Sequence, residues 1–283
     1  MFEIPEYATI AKQMAEGLAG KRIIDGTLGN SPHKLVWYNV TPAEFKAKVK
    51  GKIIGKAYSR GRWLFVPIEK GYILVFGECG GKILFHESAS MMPEKYHLSL
   101  LFEDGGALSA MTQMWGAMEL YEKGKERERK YIRGMRTTPT EPGFGPVYLA
   151  DLMKEAVDNG NKTVKALLTQ AQLIPGLGNA IAQDIMFKAG LHPKQPLKDL
   201  HRIHIKNLHQ AVVNTVKEAI RLGGRNDEYD LYGNPGGYRR LMDKNAAGRP
   251  CPQCGSKIQK MAYLGGACYF CPECQRPDHP SKS

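Results

Sequence analysis

The chain has 283 residues, enough for two domains, and its 42% hydrophobic content is too high for a wholly disordered protein. Lys and Arg outnumber Asp and Glu by 40 to 28, and the net charge of +12 favours a polyanionic partner. On charge alone, nucleic acid, an anionic membrane surface and a merely basic soluble protein all remain open. Neither a long apolar run nor a secretory signal occurs, so we expect a cytoplasmic protein without a membrane span.

The first half of the chain is dominated by strand-like segments. Residues 8–18 have helical apolar spacing, and the pattern between residues 22 and 121 is that of short strands separated by turns. One helix interrupts them, because Thr41, Pro42 and Glu44 form the N-cap, first and third positions of a capping box. The segments are KIIGKAYS, RWLFVPI, GYILVF, KILFH, YHLSLLF and GALSAM. They predict a β-sandwich or barrel with one or two helices.

The second half has a different periodicity. Residues 123–146 alternate in charge and then accumulate Pro and Gly, which predicts a solvated connector, with a nucleic-acid-binding arm as the alternative. Residues 147–222 are helical in period and end at two glycines, after which a loop rich in Gly and Arg leads to a cysteine-rich end. The predicted class is α+β, with an N-terminal β-sandwich domain at 1–135, a helical domain at 136–225, and a loop and metal-binding finger at 226–283.

Four cysteines near the C-terminus form two C-x2-C pairs separated by 16 residues. Two such pairs supply four thiolates to a tetrahedral zinc ion, and four sulfur ligands leave no open position for catalysis. A redox pair is the alternative, but the matched spacing argues against it. We predict a structural zinc bound by Cys251, Cys254, Cys271 and Cys274, and a buried, non-ligating Cys268.

A second motif lies in the helical half. A helix from Val164 to Gln170 leads into the turn IPGLGN, and a second helix from Ala180 to Lys188 is expected to be capped by Asn179. The free N–H groups at a helix start bind phosphate, so this turn is a candidate DNA contact. An ordinary turn between two helices is the alternative reading.

These motifs together resemble the formamidopyrimidine-DNA glycosylase / endonuclease VIII family. The turn resembles its helix–two-turn–helix, the finger its four-cysteine zinc finger, and Met1 to Glu6 its opening M-P-E-L-P-E. The resemblance spans nearly the whole chain. It implies a monomeric, nucleoid-associated DNA repair glycosylase that flips a damaged base out of DNA, excises it and cuts the abasic strand as a lyase.

The resemblance also implies roles for the first residues. In the family an N-terminal proline amine attacks C1′ of the damaged nucleotide and forms a Schiff base, and a neighbouring glutamate transfers protons. Here Phe2 replaces that proline, and its bulk opposes removal of the initiator methionine. The catalytic candidates are therefore Met1, Phe2, Glu3 and Glu6.

Several of the family's DNA contacts are substituted. Arg62 replaces a lysine, a glycine at position 266 replaces the finger arginine, and Glu78 or Cys79 replaces a methionine that fills the space of the flipped base. Trp115 lies where the family has its D-P-R-R-F-G motif and is a candidate intercalating wedge, with an ordinary core aromatic on a strand as the alternative. The DNA-binding candidates are Arg62, Trp115, Lys165, Gly178 and Asn179.

Three functions are consistent with these residues. The first is a glycosylase that uses Glu3 with either an N-terminal amine or an activated water. The second is an inactive protein of the same fold that binds damaged DNA, which the missing proline and basic residues favour. The third is an unrelated zinc-ribbon protein that binds RNA or ribosomes, which explains the charge and cysteines but neither the N-terminal motif nor the IPGLGN turn.

Overall fold

The structure is a computed structural model that describes residues 1–31 and 34–277. It consists of two compact units. The first comprises residues 1–135 and 219–238, and the second comprises residues 136–218 and the described residues from 239 onward. The division into three domains that the sequence suggests stays a prediction. None of the helices in the described ranges has the length and apolarity that a bilayer crossing requires.

The first unit is a β-sandwich with helices. Its helices are α1 (Ile4–Gly17), α2 (Pro42–Val49) and α3 (Lys130–Arg133). Its strands are β1 (Ile23–Leu28), β2 (Val36–Trp37), β3 (Tyr58–Arg60), β4 (Trp63–Ile68), β5 (Tyr72–Gly77), β6 (Gly81–His86), β7 (Leu98–Phe102), β8 (Ala107–Thr112) and β9 (Gly116–Glu122).

Two sheets form this sandwich. One has the order β2-β9-β5-β4-β3 and the other has the order β1-β7-β8-β6. Residues at alternate positions of both sheets, such as Leu64, Leu74, Leu100 and Leu108, lie in one buried cluster. Because a strand exposes alternate residues on opposite faces, these inner faces make the core and hold the loops at the sheet ends in fixed positions.

Helix α1 packs against the same core through Tyr7 and Ile10. Its predicted start at residue 8 was one turn too late, because the helix begins at Ile4. Pro5 lies in the first turn, where a missing N–H costs no hydrogen bond, and Glu3 and Glu6 form a capping box. The capping box predicted at Thr41 is confirmed, since its hydroxyl accepts from the backbone N–H of Glu44 at 3.2 Å.

The stretch predicted as a solvated connector is mostly exposed up to residue 135, but it is not a free linker there. This stretch forms a short 3-10 helix and α3, and it covers the outer face of the five-stranded sheet, where Trp63, Phe65 and Val75 are buried. Arg129 lies 2.6 Å from the carboxylate of Glu119 and over the ring of Trp63. The alternating charges therefore pair partly with the sheet and are not all solvated.

The second unit contains a helical part and a finger. Two residues near the finger's cysteines, Met242 and Tyr269, lie in one buried cluster with Phe187 of the helical part, so finger and helices share a core. Its elements are α4 (Pro146–Asp158), α5 (Val164–Thr169), α6 (Asn179–Lys188), α7 (Arg202–Arg221, which continues into the first unit), β10 (Gln259–Tyr263) and β11 (Gly266–Phe270).

Candidate functional site

The N-terminal residue is held at the surface of the first unit. Met1 is 45% exposed, and its α-amine lies 3.0 Å from Oε1 of Glu228. Its carbonyl accepts a hydrogen bond from Nη2 of Arg225 at 2.7 Å. A Cβ atom on residue 80 would lie only 2.7 Å from Met1 Cα, so Gly80 is required for this close approach. The α-amine is thus accessible and fixed in position.

Phe2 is an anchor in this structure. Its side chain is 0% exposed, and its ring meets the ring of Tyr7 edge-on, with centroids 5.6 Å apart. Its backbone N–H donates to the carbonyl of Cys79 at 2.9 Å. Phe2 was a candidate for catalysis through its own amine, but in the intact chain that nitrogen is in a buried amide. The family's reactive position has therefore become part of the core.

Glu3 and Glu6 are both buried beside one arginine. The backbone N–H, Nε and Nη2 of Arg225 donate to the Glu6 carboxylate at 2.9, 3.1 and 3.0 Å, and Nη1 lies 4.0 Å from Glu3. Burial opposes the charged guanidinium, but the nearby carboxylates of Glu6 and Glu3 outweigh it and raise the pKa of Arg225. The buried carboxylates therefore have a buried cation as partner.

Arg62 is in the β3–β4 turn and lies beside the N-terminus. Its Nη1 is 3.1 Å from the sulfur of Met1 and 3.8 Å from the carboxylate of Glu78. Glu78 adopts a left-handed backbone conformation (φ 55°) just before Cys79, whose thiol is buried. Burial raises the pKa of the Cys79 thiol to about 12, which makes it an inert core residue at neutral pH.

Trp115 lies in the turn between β8 and β9 and is partly exposed, so it is not a core residue. Its ring stacks on Trp37 with centroids 5.3 Å apart and planes inclined by 23°. Trp37 is also partly exposed. Two stacked indoles at the surface offer a flat aromatic platform, which is what base stacking requires.

In the second unit, the predicted cap of α6 needs correction. Gly178 is the N-cap, Asn179 is the first helical residue, and the Asn179 side chain donates to the carbonyl of Ala267 in the finger hairpin at 3.3 Å. The extended backbone at Gly178 places the cap one residue earlier than expected. Gln183, which the sequence reasoning missed, donates to the same carbonyl at 3.1 Å and accepts from the N–H of Tyr269.

Lys165 is also tied to the hairpin. It is 1% exposed, and its ammonium donates to the carbonyl of Tyr263. Gly266, at the position of the family's finger arginine, lies against the side chain of Asn179, and the Leu264–Gly265 turn before it has positive φ angles. A direct phosphate contact by Lys165 stays a prediction, and its burial indicates a supporting role for the hairpin.

The four predicted cysteines converge. All four sulfur atoms lie within 4.8 Å of one another, and two of the separations are 3.8 Å (Cys251 to Cys274) and 3.4 Å (Cys254 to Cys271). Four Zn–S bonds of about 2.3 Å in a tetrahedron place sulfurs about 3.8 Å apart. The cluster therefore fits a metal ion. Cys268 is buried and outside the cluster, as predicted.

The fold and these sites define a class of protein: a β-sandwich carrying an exposed N-terminal amine, joined to a helix–two-turn–helix unit with a four-cysteine finger. The formamidopyrimidine-DNA glycosylase N-terminal domain matches residues 1–114, and the H2TH domain of the same glycosylase matches residues 140–229. The chain belongs to the formamidopyrimidine-DNA glycosylase family.

Individual relatives and solved structures are also similar to this chain. The chain is 27% identical to a formamidopyrimidine-DNA glycosylase of Bacillus cereus over 97% of this chain and 99% of the relative. A Geobacillus kaustophilus relative of the same name is also 27% identical, over 98% and 100%. The fold matches MutM (Fpg) of Thermus thermophilus at a TM-score of 0.81, with 24% identity over 98% and 100%. It also matches the Lactococcus lactis Fpg in complex with DNA containing an abasic site, at 0.85, with 24% identity over 97% and 99%.

The sequence reasoning named the glutamates and cysteines but missed two residues that contact the N-terminus. Arg225 and Glu228 lie in the loop after α7, and each contacts the first residue of the chain. The available signal was an unusual cluster of charge, RNDE, directly after the glycine pair that ends the helix. Nothing local, however, connects that cluster to residue 1.

Proposed function

We propose that this chain is a DNA repair glycosylase that excises a damaged base and then acts as a lyase on the abasic strand. The observation that carries the proposal is the exposed α-amine of Met1, fixed one residue before a buried Phe2 and two before Glu3. An unprotonated amine at the surface is a competent nucleophile for a sugar carbon. The names of the relatives support the same function. The Lactococcus lactis Fpg, which has the same fold, is bound to DNA containing an abasic site.

In the proposed reaction the lone pair of the Met1 amine attacks C1′ of the damaged nucleotide. The C1′–base bond breaks, and its electron pair leaves with the base, which takes up a proton. The sugar ring then opens as O4′ is protonated, and a Schiff base joins Met1 to C1′. Loss of a C2′ proton eliminates the 3′ phosphate and cuts the strand.

Glu3 is the proposed acid and base for the sugar. Its carboxylate is buried, which suits a group that must exchange a proton with the substrate and not with bulk water. Glu6 has a different role, since Arg225 and the capping box occupy its carboxylate. Glu6 therefore holds the framework, and Glu3 handles protons.

DNA contacts are proposed in each unit separately. The N-terminus of α6 at Gly178 and Asn179 is a phosphate site, with Lys165 supporting the hairpin that Asn179 contacts. Arg62 is the proposed phosphate ligand beside Met1. The Trp115 platform is the proposed wedge that enters the duplex when the damaged base is flipped out.

The metal is proposed to be zinc with a structural role. Four thiolates satisfy a tetrahedral ion completely, so this ion supplies folding free energy and no Lewis-acid chemistry. The hairpin of β10 and β11, which carries Ala267 toward Asn179, lies between the two cysteine pairs. The zinc therefore orders the segment that packs on the proposed phosphate site.

The test is borohydride trapping on DNA that contains an abasic site. A Schiff base is reduced to a stable amine, and the protein–DNA adduct then migrates slowly in a denaturing gel. We expect an adduct with wild type, together with base release from DNA bearing ring-opened or oxidised purines. Glu3→Gln keeps the size of the side chain but loses proton transfer, so base release should fall by about two to four orders of magnitude.

Two results would contradict this proposal. Full excision by Glu3→Gln would show that this carboxylate is not the acid and base. Wild-type protein that binds abasic DNA tightly, but neither traps nor releases any base from oxidised, ring-opened or alkylated substrates, would instead establish the inactive DNA-binding function.

A further inference from the structure

We propose that Glu228 is the proton acceptor and Arg225 the positioning residue for the α-amine of a retained Met1, so that this chain uses a primary amine where its family uses a proline. The inference deepens the proposed function and rests on it. It assigns a role to two loop residues that the sequence motifs leave without one. It also explains how catalysis tolerates Phe2 at the second position.

The Met1 amine is in direct contact with a carboxylate. Glu228 approaches the Met1 nitrogen at 3.0 Å, which is hydrogen-bond distance for an ammonium and a carboxylate. Its side chain is largely shielded from solvent, while the amine's own residue is partly exposed. One side of the amine therefore contacts Glu228, and the residue remains open to a substrate.

The Glu228 carboxylate is in turn held by Arg225. Nη2 of Arg225 lies 3.3 Å from Oε1 of Glu228, the same oxygen that contacts the amine. The same nitrogen donates to the carbonyl of Met1 at 2.7 Å. Arg225 thus contacts both the carbonyl of Met1 and the Glu228 carboxylate that binds the Met1 amine.

Arg225 is itself held in place by Glu6. Its side chain is 4% exposed and donates through Nε and Nη2 to Glu6 in the first turn of α1. A planar guanidinium held by two such bonds has little rotational freedom. The chain of contacts from α1 through Arg225 to Glu228 therefore fixes the amine relative to the sandwich.

The backbone around the Met1 amine is also fixed. Phe2 anchors the chain in the core, and Gly80 leaves room for Met1, since a Cβ there would come within 3.1 Å of the α-nitrogen. Removal of Met1 would place a charged amine at Phe2, whose nitrogen donates to a buried carbonyl. The site is shaped for a residue before Phe2.

The proton balance gives Glu228 a specific task. The primary ammonium first transfers one proton to Glu228, and the freed lone pair attacks C1′ as the bond to the base breaks. The departing base takes up a proton, which Glu228 can return. The bonded nitrogen then loses a second proton, again to Glu228. The C1′–O4′ bond opens to a protonated imine while Glu3, having taken up a proton from water, passes it to O4′. No oxidant or reductant is needed.

The two carboxylates have different tasks in this reaction. Glu228 serves the nitrogen, which it already contacts, and Glu3 serves the sugar oxygen. A proline amine also loses two protons before its iminium forms, so the primary amine of a retained methionine needs a proton acceptor to the same extent. The Glu228 carboxylate lies in the position to meet that need.

The first experiment locates the adduct. Full-length wild-type protein is trapped on abasic DNA with borohydride and digested, and the modified peptide is sequenced by mass spectrometry. We expect the adduct on the α-nitrogen of Met1. An adduct on a lysine side chain, or on Phe2 after loss of Met1, would overturn the inference while leaving the glycosylase function intact.

The second experiment measures the role of Glu228. Glu228→Gln should slow single-turnover trapping by about 10- to 100-fold, because glutamine cannot accept the protons of the amine, while the Kd for abasic DNA changes less than about twofold. Glu228→Asp should recover part of the rate. The matched control is Asp227→Asn, which removes the neighbouring exposed charge and should trap at the wild-type rate.

The outcomes separate the two proposals. If Glu228→Gln traps as fast as Asp227→Asn, or loses DNA affinity in proportion to rate, the role proposed for Glu228 is wrong although the glycosylase function stands. If wild type itself neither traps nor excises, both proposals fall. Thermal unfolding of each variant checks that a slow rate does not come from an unfolded protein.

Discussion

Arg225 and Glu6 form a buried ion pair across 219 residues of chain. Three donors of Arg225, its backbone N–H, Nε and Nη2, meet the two oxygens of one carboxylate at 2.9 to 3.1 Å. The pair joins the loop after α7 to the first turn of α1. It is therefore central both to the stability of the first unit and to the position of the N-terminal residue.

Replacing Arg225 by Met should destabilise the protein by about 3–5 kcal/mol. The substitution leaves the buried carboxylates of Glu6 and Glu3 without their cation, and an uncompensated buried charge is costly. Urea unfolding followed by circular dichroism measures the change. Arg22→Met, which removes an exposed pair with Glu103 at 3.6 Å, is the control and should cost less than about 1 kcal/mol. Equal effects of the two variants would contradict the prediction.

Phe2→Ala should destabilise by about 3–5 kcal/mol, because a fully buried aromatic side chain leaves a cavity beside Tyr7. Tyr131→Ala removes an exposed ring and should cost less than about 1 kcal/mol. The same unfolding assay applies. A small loss for Phe2→Ala would mean that the N-terminus is not anchored as described, and the retained-methionine site would then lose its basis.

Purified protein should contain one zinc ion per chain. Cys271→Ser removes a ligand and should lose the metal, unfold the finger and weaken DNA binding, because closed zinc sites contribute folding free energy directly. Cys268→Ala, in the same hairpin but outside the sulfur cluster, should keep its zinc. Elemental analysis of the dialysed proteins decides. A folded, DNA-binding wild type with far less than one zinc would refute the assignment.

Asn179→Ala should weaken DNA binding by about 3- to 10-fold, equally for all sequences, since a phosphate contact positions DNA without reading bases. Its exposed control on α7 is Asn207→Ala, which should bind as wild type does. Binding should also fall steeply with salt through counterion release. Fluorescence anisotropy at several salt concentrations tests both points. Salt-insensitive binding, or unchanged binding by the Asn179 variant, would exclude this footprint.

Cys79 should resist alkylation in the folded protein at pH 8. Burial raises its pKa to about 12, so almost no thiolate is present, whereas an unfolded cysteine titrates near 8.5. Because the folded state keeps the proton longer, this group's contribution to stability is present below about pH 8.5 and is lost as pH rises toward 12. Iodoacetamide labelling with and without urea, mapped by mass spectrometry, should modify Cys79 only in urea.

Where the chemistry is local, the sequence alone determined the outcome. The capping box at Thr41 and each C-x2-C cysteine pair depend on spacings of two or three residues. The capping box forms as predicted, and the four cysteines lie close enough together to hold a metal ion. The strand-rich half also follows from local sequence, because short β-branched or aromatic runs bounded by turn residues favour strands. Local geometry leaves little freedom to such motifs.

One local prediction failed and another held only in part, because tertiary contacts decided between near-equal options. Asn179 was expected to cap α6, yet Gly178 caps it, and the Asn179 side chain donates to Ala267 instead. The charged stretch after β9 was expected to be solvated, yet part of it covers a sheet face that would otherwise expose Phe65 and Val75. In both cases the deciding partner is distant in the chain.

The N-terminal site is the clearest case of tertiary control. Glu3 could be named from its motif, but the fate of Phe2 depended on whether the sandwich core had space for its ring. The contact between Met1 and Glu228 spans 227 residues, and no spacing rule connects them. Only the fold brings that carboxylate to the amine, because the loop after α7 is held against α1 by the Arg225–Glu6 pair.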